Sequence, residues 1–249
     1  MLDVDGTVAP IAPTPAGATI PPETRETLRR IVRLPATTLT LVSGRSAADT
    51  TRLAQVDGAW IIGNHGFELR NPDGSVDVAE SVLPYKHAVA EAARQLEAAA
   101  NIPGALVEPK GWTISYHYRL VAPADIPRLL ERARSMAVAH GLRITEGKKL
   151  VELRPPVEIN KGTATVELAS RLGALERNGC VIYAGDDRTD EDAFRALRGR
   201  SPRAITIHIT ALSDERLEPP TVAELAMESP AELREALDWL VGYRAAATA

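Results

Sequence analysis

The sequence predicts an α/β fold, in which a parallel-sheet core with helices on both faces is interrupted by an inserted α+β module. Three observations predict it. Apolar, β-branched runs alternate with amphipathic helical runs in the first and last thirds, the rhythm of a parallel sheet. Four of the strand-like runs end in polar residues: Asp3/Asp5, Ser43, His65 and Asp186/Asp190. In parallel sheets ligands bind outside the carboxyl ends of the strands, so adjacent strands would turn all four sets into one crevice. The middle third drops this rhythm and reads helix, strand, helix, strand.

Leu2 to Val4 is the stub of a strand, so short that either an internal start or a few missing residues before Met1 would account for it. Pro21-Pro22-Glu23 opens a helix, with proline in the first turn and glutamate at its positive end. Leu28, Ile31 and Val32 form the apolar stripe of that helix. Thr38 to Val42 is a strand ending at Ser43-Gly44-Arg45, and a helix follows through Leu53. Trp60 to Ile62 is a third strand, ending at Gly63-Asn64-His65-Gly66. Asn71-Pro72-Asp73-Gly74 marks a hairpin turn. An Ala-rich helix from Tyr85 to Ala100 begins the module, followed by a strand from Trp112 to Arg119. A helix from Ile126 to Ala139 and a strand from Leu150 to Leu153, closed by Pro155-Pro156, complete it. The core then resumes with a helix over Gly162 to Leu172 and a strand over Cys180 to Ala184. A helix over Glu191 to Leu197, a strand over Ala204 to Ile209 and a helix over Pro230 to Tyr243 follow. The expected domains are 1–79 and 157–249 for the core and 80–156 for the module.

Composition excludes several classes of function. Aromatic residues make up 4% of the chain, too few for a platform that stacks single-stranded nucleic acid. Net charge is -4 and the basic residues are dispersed, so no nucleic-acid partner is expected. No apolar stretch approaches the roughly 20 residues that span a bilayer, and no basic region opens a signal peptide. The single cysteine, Cys180, lies in an apolar run and is expected to be a reduced core residue. These features predict a cytoplasmic monomer with neither membrane nor nucleic-acid partner.

The chemistry is concentrated in two carboxylate clusters. Asp3 and Asp5, two apart on a segment leaving a strand, both point into the crevice, so one can attack while the other handles protons. An aspartate attacks a dianionic phosphoryl group only where charge is neutralised, and a metal ion does this. Magnesium takes oxygen ligands, available from the carboxylates of Asp3 and Asp186 and the main-chain carbonyl of Asp5. Asp186, Asp187, Asp190, Glu191 and Asp192 repel one another unless a cation or a helix N-terminus offsets them. Each motif alone has a plainer explanation. Asp-x-Asp-Gly-Thr marks turns and calcium loops, Ser43-Gly44 suits a helix cap, and most lysines like Lys161 are solvated. The order and strand-end placement of all four make the joint signal specific.

That combination, Asp3-Val4-Asp5-Gly6-Thr7, Ser43, Lys161 and Gly185-Asp186-Asp187, resembles the haloacid dehalogenase-like phosphatase superfamily over nearly the whole chain. The resemblance implies a Rossmann-like parallel-sheet core and a cap domain in the position of the inserted module. It implies that Asp3 forms an aspartyl-phosphate and that Asp5 is the general acid and then the base. By the same resemblance Ser43, with Gly44 and Arg45, and Lys161 hold the phosphoryl group, and Asp3, Asp5, Asp186 and Asp190 hold or support Mg²⁺.

The module narrows the resemblance. Glu108-Pro109-Lys110-Gly111-Trp112, Ser115-Tyr116-His117-Tyr118-Arg119, Gly147-Lys148-Lys149 and Glu152-Leu153-Arg154-Pro155 are similar to segments of the trehalose-6-phosphate phosphatase family. This implies that Glu108, Lys110, Arg119, Lys148 and Glu152 bind the sugar of a sugar phosphate. His65, at a strand end, reads either as a substrate neighbour or as a stabiliser of its own loop. Carboxylates and cations suit hydroxyls that both donate and accept. His117 and Trp112 read as packing or network residues. Phosphatases of sucrose phosphate or glucosylglycerol phosphate, a phosphomutase, and a non-catalytic sugar-phosphate sensor are the alternatives.

Overall fold

β1 (Leu2–Asp3) is two residues long, yet it lies at the middle of the main sheet. In the computed structural model, which describes all residues except 100, 148, 177, 199–202, 211–219 and 248–249, its shortness is offset by parallel neighbours on both sides. Leu2 pairs with Leu41 on one side and with Ala184 on the other, and Asp3 pairs with Val42. The chain divides into two units, Met1–Asp77 with Ile159–Ala249, and Val78–Glu158.

In the first unit the chain runs from β1 through α1 (Pro22–Val32) to β2 (Thr40–Val42), then through α2 (Ala47–Ala54) to β3 (Trp60–Gly63). β4 (Glu68–Arg70) pairs antiparallel with β3, and the expected turn at Asn71 to Gly74 leads to β5 (Val76–Val78). The sheet continues on the far side of β1 with β10 (Val181–Gly185), β11 (Ala204–Ile209) and β12 (Leu225–Met227), all parallel. Its order is therefore β12-β11-β10-β1-β2-β3-β4-β5. Successive strands step one way from β1 and the other way from β10, so the order reverses between these two. Such a switch point opens a crevice at the carboxyl ends of the strands.

Alternation along the strands assigns the two faces. Leu2, Leu41, Ile61, Ala184 and Ile207 share one apolar cluster with Leu28 and Ile31 of α1 and Ala47 and Ala54 of α2. Leu233 and Leu237 of α7 (Pro230–Ala247) complete that cluster. Val42, Ile62, Val181 and Tyr183 point the other way. They pack with Leu168 of α5 (Lys161–Arg171) and with Phe194 and Leu197 of α6 (Arg188–Arg198). This is the expected α/β core with helices on both faces.

The second unit holds α3 (Lys86–Ala98), β6 (Leu106–Pro109), β7 (Ile114–His117), α4 (Ile126–Ala139), β8 (Arg143–Gly147) and β9 (Leu150–Arg154). Its antiparallel sheet has the order β6-β7-β9-β8. Ile114, Tyr116, Val151 and Leu153 form a core with Val89 and Leu96 of α3 and Leu129 and Ala133 of α4. The opposite face carries the row Glu108, Ser115, Glu152 and Thr145, each directly across from the next.

Several expectations change. β6 and β8 extend a module read as two strands, and the strand expected to reach Arg119 stops at His117. Arg119 lies in the turn beyond it. Lys110 stands one residue past β6, its N–H donating to the Thr113 carbonyl at 2.9 Å. Cys180 is exposed rather than buried, because β10 begins one residue later, and its thiol donates to the Arg203 carbonyl at 2.9 Å.

Candidate active site

Asp3 is the last residue of β1, so the sheet delivers its carboxylate to the switch point. It is 4% exposed. Its Oδ1 accepts a hydrogen bond from Lys161 Nζ at 2.7 Å, while Oδ2 is buried without a hydrogen-bond partner. Lys161 owes its place to the start of α5. Asn160 caps that helix: its Oδ1 accepts from the Thr163 N–H at 2.9 Å, and Thr163 Oγ1 accepts from the Asn160 N–H at 3.0 Å. This capping box fixes where the helix begins and makes Lys161 its first residue.

Lys161 Nζ also donates to Asp190 Oδ1 at 2.9 Å, and Tyr183 donates its hydroxyl to that oxygen at 2.8 Å. Asp190 Oδ2 accepts from the N–H groups of Asp186 and Asp187 at 3.1 and 3.2 Å. Both oxygens of Asp190 are thus occupied in ordering the β10–α6 turn and Lys161. Asp187 stands just before α6, its Oδ1 accepting from the N–H and hydroxyl of Thr189 at 2.8 and 2.7 Å. It lies 3.9 Å from Lys161.

Gly6 has φ +95°, and a Cβ there would fall 2.3 Å from Asp186 Oδ2. Only glycine lets the loop after β1 lie against that carboxylate. Asp5 has a different partner: Arg45 Nε donates to its Oδ2 at 2.7 Å and Arg45 Nη2 to its Oδ1 at 2.8 Å. Ser43 is buried at the end of β2, its Oγ accepting from the Arg45 N–H at 3.1 Å. At Gly44 a Cβ would meet His65 Nε2 at 2.5 Å, so the imidazole packs on the glycine beside Ser43. Asn64 and His65 both hold positive φ, 48° and 56°, in the turn after β3. Backbone conformations of this kind cluster at functional sites.

The electrostatics follow from three carboxylates, Asp3, Asp187 and Asp190, around one ammonium. Burial pushes the Asp3 carboxyl well above the usual carboxylate range, and Asp190 adds to this against the pull of Lys161. Burial also pushes Asp190 up, to about 6, although Lys161 opposes it. Burial works against the charge of Lys161, but Asp190 and Asp3 more than offset it, so its ammonium is held firmly protonated. Burial raises Asp187 too, yet Lys161 and hydrogen bonds from Thr189 and Asp190 outweigh it, leaving the group below the ordinary range. Burial and then Asp190 keep the Tyr183 hydroxyl protonated.

This site fits a hard cation. Asp3, Asp186 and Asp190 each bring a carboxylate oxygen within 4.8 Å of the others, and all three are buried. An all-oxygen donor set with excess negative charge is what such an ion takes. Asp3, with its unpartnered buried oxygen, and Asp186 are the direct ligands this geometry offers. Asp190, with both oxygens engaged, fits a supporting place.

The first unit thus brings together Asp3, Lys161, Asp186 and Asp190, with Ser43, Gly44 and His65 at the neighbouring strand ends and Asp5 on Arg45. The module residues form a set of their own. Lys110 Nζ lies 3.3 Å from Glu152 Oε1, which also accepts from the Thr113 hydroxyl at 3.1 Å. Glu108 Oε2 is 2.8 Å from His117 Nε2. Arg119 is exposed, and Lys148 lies outside the described residues. Sequence reasoning passed over Tyr183, whose apolar neighbours mark it as core, and Asp49, which holds Arg45 at 2.9 Å.

Residues 1–231 match the family described as trehalose-phosphatase. The chain is 38% identical over 247 residues to an uncharacterized glycosyl hydrolase of Mycobacterium tuberculosis (strain CDC 1551 / Oshkosh), covering 95% of this chain and 18% of that protein. It is 35% identical over 244 residues to a trehalose-phosphate phosphatase of Mycobacterium bovis (strain BCG / Pasteur 1173P2), covering 96% of this chain. The chain spans 60% of the length of that phosphatase. The crystal structure of a trehalose-6-phosphate phosphatase related protein superposes with a TM-score of 0.82 at 24% identity, covering 97% of this chain and 96% of that one. That likeness is one of fold.

Proposed function

Because the chain belongs to the trehalose-phosphatase family, we propose that it hydrolyses trehalose 6-phosphate to trehalose and phosphate, with Asp3 as nucleophile and Mg²⁺ as cofactor. The observation that carries this reading is the state of Asp3. One oxygen is held by Lys161 at 2.7 Å, and the other is buried, unpartnered and at the switch point of the sheet.

Asp3 attacks phosphorus and forms an aspartyl-phosphate, while Asp5 gives a proton to the departing 6-oxygen of the sugar. Asp5 then takes a proton from the water that hydrolyses the aspartyl-phosphate. Lys161 orients Asp3 and offsets phosphoryl charge, and Ser43 is placed to donate its hydroxyl to a phosphoryl oxygen. Asp3 and Asp186 would hold Mg²⁺, with the Asp5 carbonyl as a further donor and Asp190 in support. When bound, the ion supplies Lewis-acid neutralisation of the charge between nucleophile and phosphate.

Sugar recognition is assigned to the second unit. Its Lys110–Glu152 and Glu108–His117 pairs lie on the polar sheet face and offer donors and acceptors suited to hydroxyls. Arg119 and Lys148 belong to this assignment, and Gly44 and His65 to the phosphate end, whereas Arg45, expected there from the sequence, is engaged with Asp5, Asp49 and the Pro15 carbonyl. A cytoplasmic monomer is part of the same proposal. Among the described residues no helix is long and apolar enough to cross a membrane.

The test is phosphate release from trehalose 6-phosphate, sucrose phosphate and glucosylglycerol phosphate, with and without Mg²⁺. Release is expected from trehalose 6-phosphate, with Mg²⁺, and to vanish in Asp3→Asn while the circular dichroism is unchanged. Preference for another sugar phosphate would move the substrate. Near-native turnover by Asp3→Asn would remove the nucleophile.

A further inference from the structure

We infer, resting on the phosphatase reading above, that Arg45 is the positioning residue of the proton-transferring carboxylate Asp5. Two parallel N–H donors of one guanidinium meet both oxygens of Asp5, at 2.7 and 2.8 Å. A fork of this kind fixes direction as well as distance. The guanidinium is itself tied down. Its Nη1 donates to Asp49 Oδ2 at 2.9 Å and its Nη2 to the Pro15 carbonyl at 3.1 Å. Asp49 lies in the first turn of α2, and its N–H is held by the capping Ser46 side chain at 3.1 Å. Arg45 is therefore anchored to a helix start and a loop, with a side chain 10% exposed, whereas the Asp5 side chain is 40% exposed.

The asymmetry defines the roles. Asp5 follows a two-residue strand and half faces solvent, so its own surroundings would leave the carboxylate free to rotate. The buried fork removes that freedom before substrate arrives, and small misplacements of reacting groups are costly. A carboxylate offers about four lone-pair sites. The fork uses two, and the others remain to exchange a proton. In the first half-reaction the Asp3–phosphorus bond forms, the bond from phosphorus to the sugar oxygen breaks, and that oxygen takes the proton from Asp5. In the second, the water oxygen bonds to phosphorus, the Asp3–phosphorus bond breaks, and the water proton passes to Asp5. Arg45 acts in both halves through Asp5 alone.

A leaving group that departs without a proton separates positioning from a structural role. In magnesium-containing buffer, Arg45→Met in the full chain is expected to lower kcat on trehalose 6-phosphate about 10- to 100-fold with KM within about threefold. On 4-nitrophenyl phosphate the same variant is expected to release a burst of nitrophenolate at the wild-type rate, followed by slow turnover as the aspartyl-phosphate accumulates. Arg45→Lys keeps the charge but loses the fork, is expected to behave alike, and decides the matter if Arg45→Met does not fold. Equal losses on both substrates without a burst, or wild-type kinetics in both variants, would overturn the role of Arg45 alone. No phosphate release by the unaltered chain would overturn it together with the phosphatase reading.

Discussion

Asp190 has no free side-chain valence for hydrogen bonds: Lys161 and Tyr183 occupy one oxygen, and two backbone N–H groups occupy the other. It is nonetheless pushed up to about 6 by burial, and Asp3 is pushed up beside it. A carboxylate whose folded pKa lies above its ordinary value prefers its proton in the fold. In metal-free protein its contribution to stability is present below about pH 4 and is lost as pH rises towards about 6. A cation binds only the ionised cluster, so protons compete with it. The rise in melting temperature on adding Mg²⁺ is expected to be larger at pH 7 than at pH 5, measured by scanning calorimetry on one preparation. A shift independent of pH over that range would place the ion elsewhere. At this scale Asp3, Ser43 and Asp186 stood out in the sequence because each is a polar residue where an apolar run stops, whereas Lys161 follows no such run and stood out only through its place in the order of the motifs. Tyr183 and Asp49 did not stand out. One lies inside an apolar run and the other in a helical turn, and only the fold brings them to Asp190 and Arg45.

Elements deliver these residues, and the start of α5 does so most directly. Lys161 is the first residue of that helix, and the Asn160–Thr163 capping box fixes where it begins. Removing the cap releases backbone N–H groups from partners and loosens the first turn. Asn160→Ala is expected to cost about 1 kcal/mol in urea unfolding. It is also expected to lower kcat, because the Lys161 ammonium loses its registration on Asp3. Unchanged kcat alongside lowered stability would show that packing against Asp190 suffices. The parallel strands β1, β2, β3, β10 and β11 were readable because the sheet buries most of their residues on both faces and they are mainly apolar, whereas β12, short and largely exposed, was not read. β8 was missed, and β6 was read only as a strand face shared by Glu108 and Lys110, because both are short, mix polar with apolar residues without regular alternation and sit next to turns. Their strand character comes from pairing with β7 and β9, a non-local cause that local propensity does not register.

For the whole molecule, the division into two units makes a claim about folding. The second unit is one continuous run, Val78–Glu158, whereas the first is assembled from two segments on either side of it. The second unit also has its own core, with Tyr116, Ile114, Leu96 and Leu129 fully buried against one another between its sheet and its two helices. All four strands of that sheet come from within the run, so no ladder is broken by excising it. A domain with a private core and closed hydrogen-bonding folds by itself, although at this size its margin is small. Residues 78–158 expressed alone are therefore expected to give a helix-and-strand circular dichroism spectrum and one cooperative thermal transition, at lower temperature than the full chain. A featureless spectrum would mean that this core needs the first unit. The same fragment is expected to release no phosphate from any sugar phosphate, because Asp3, Lys161 and Asp186 all belong to the other unit. The sequence changes from α/β rhythm to an α+β pattern over this run, since a run that supplies its own sheet must carry its own periodicity.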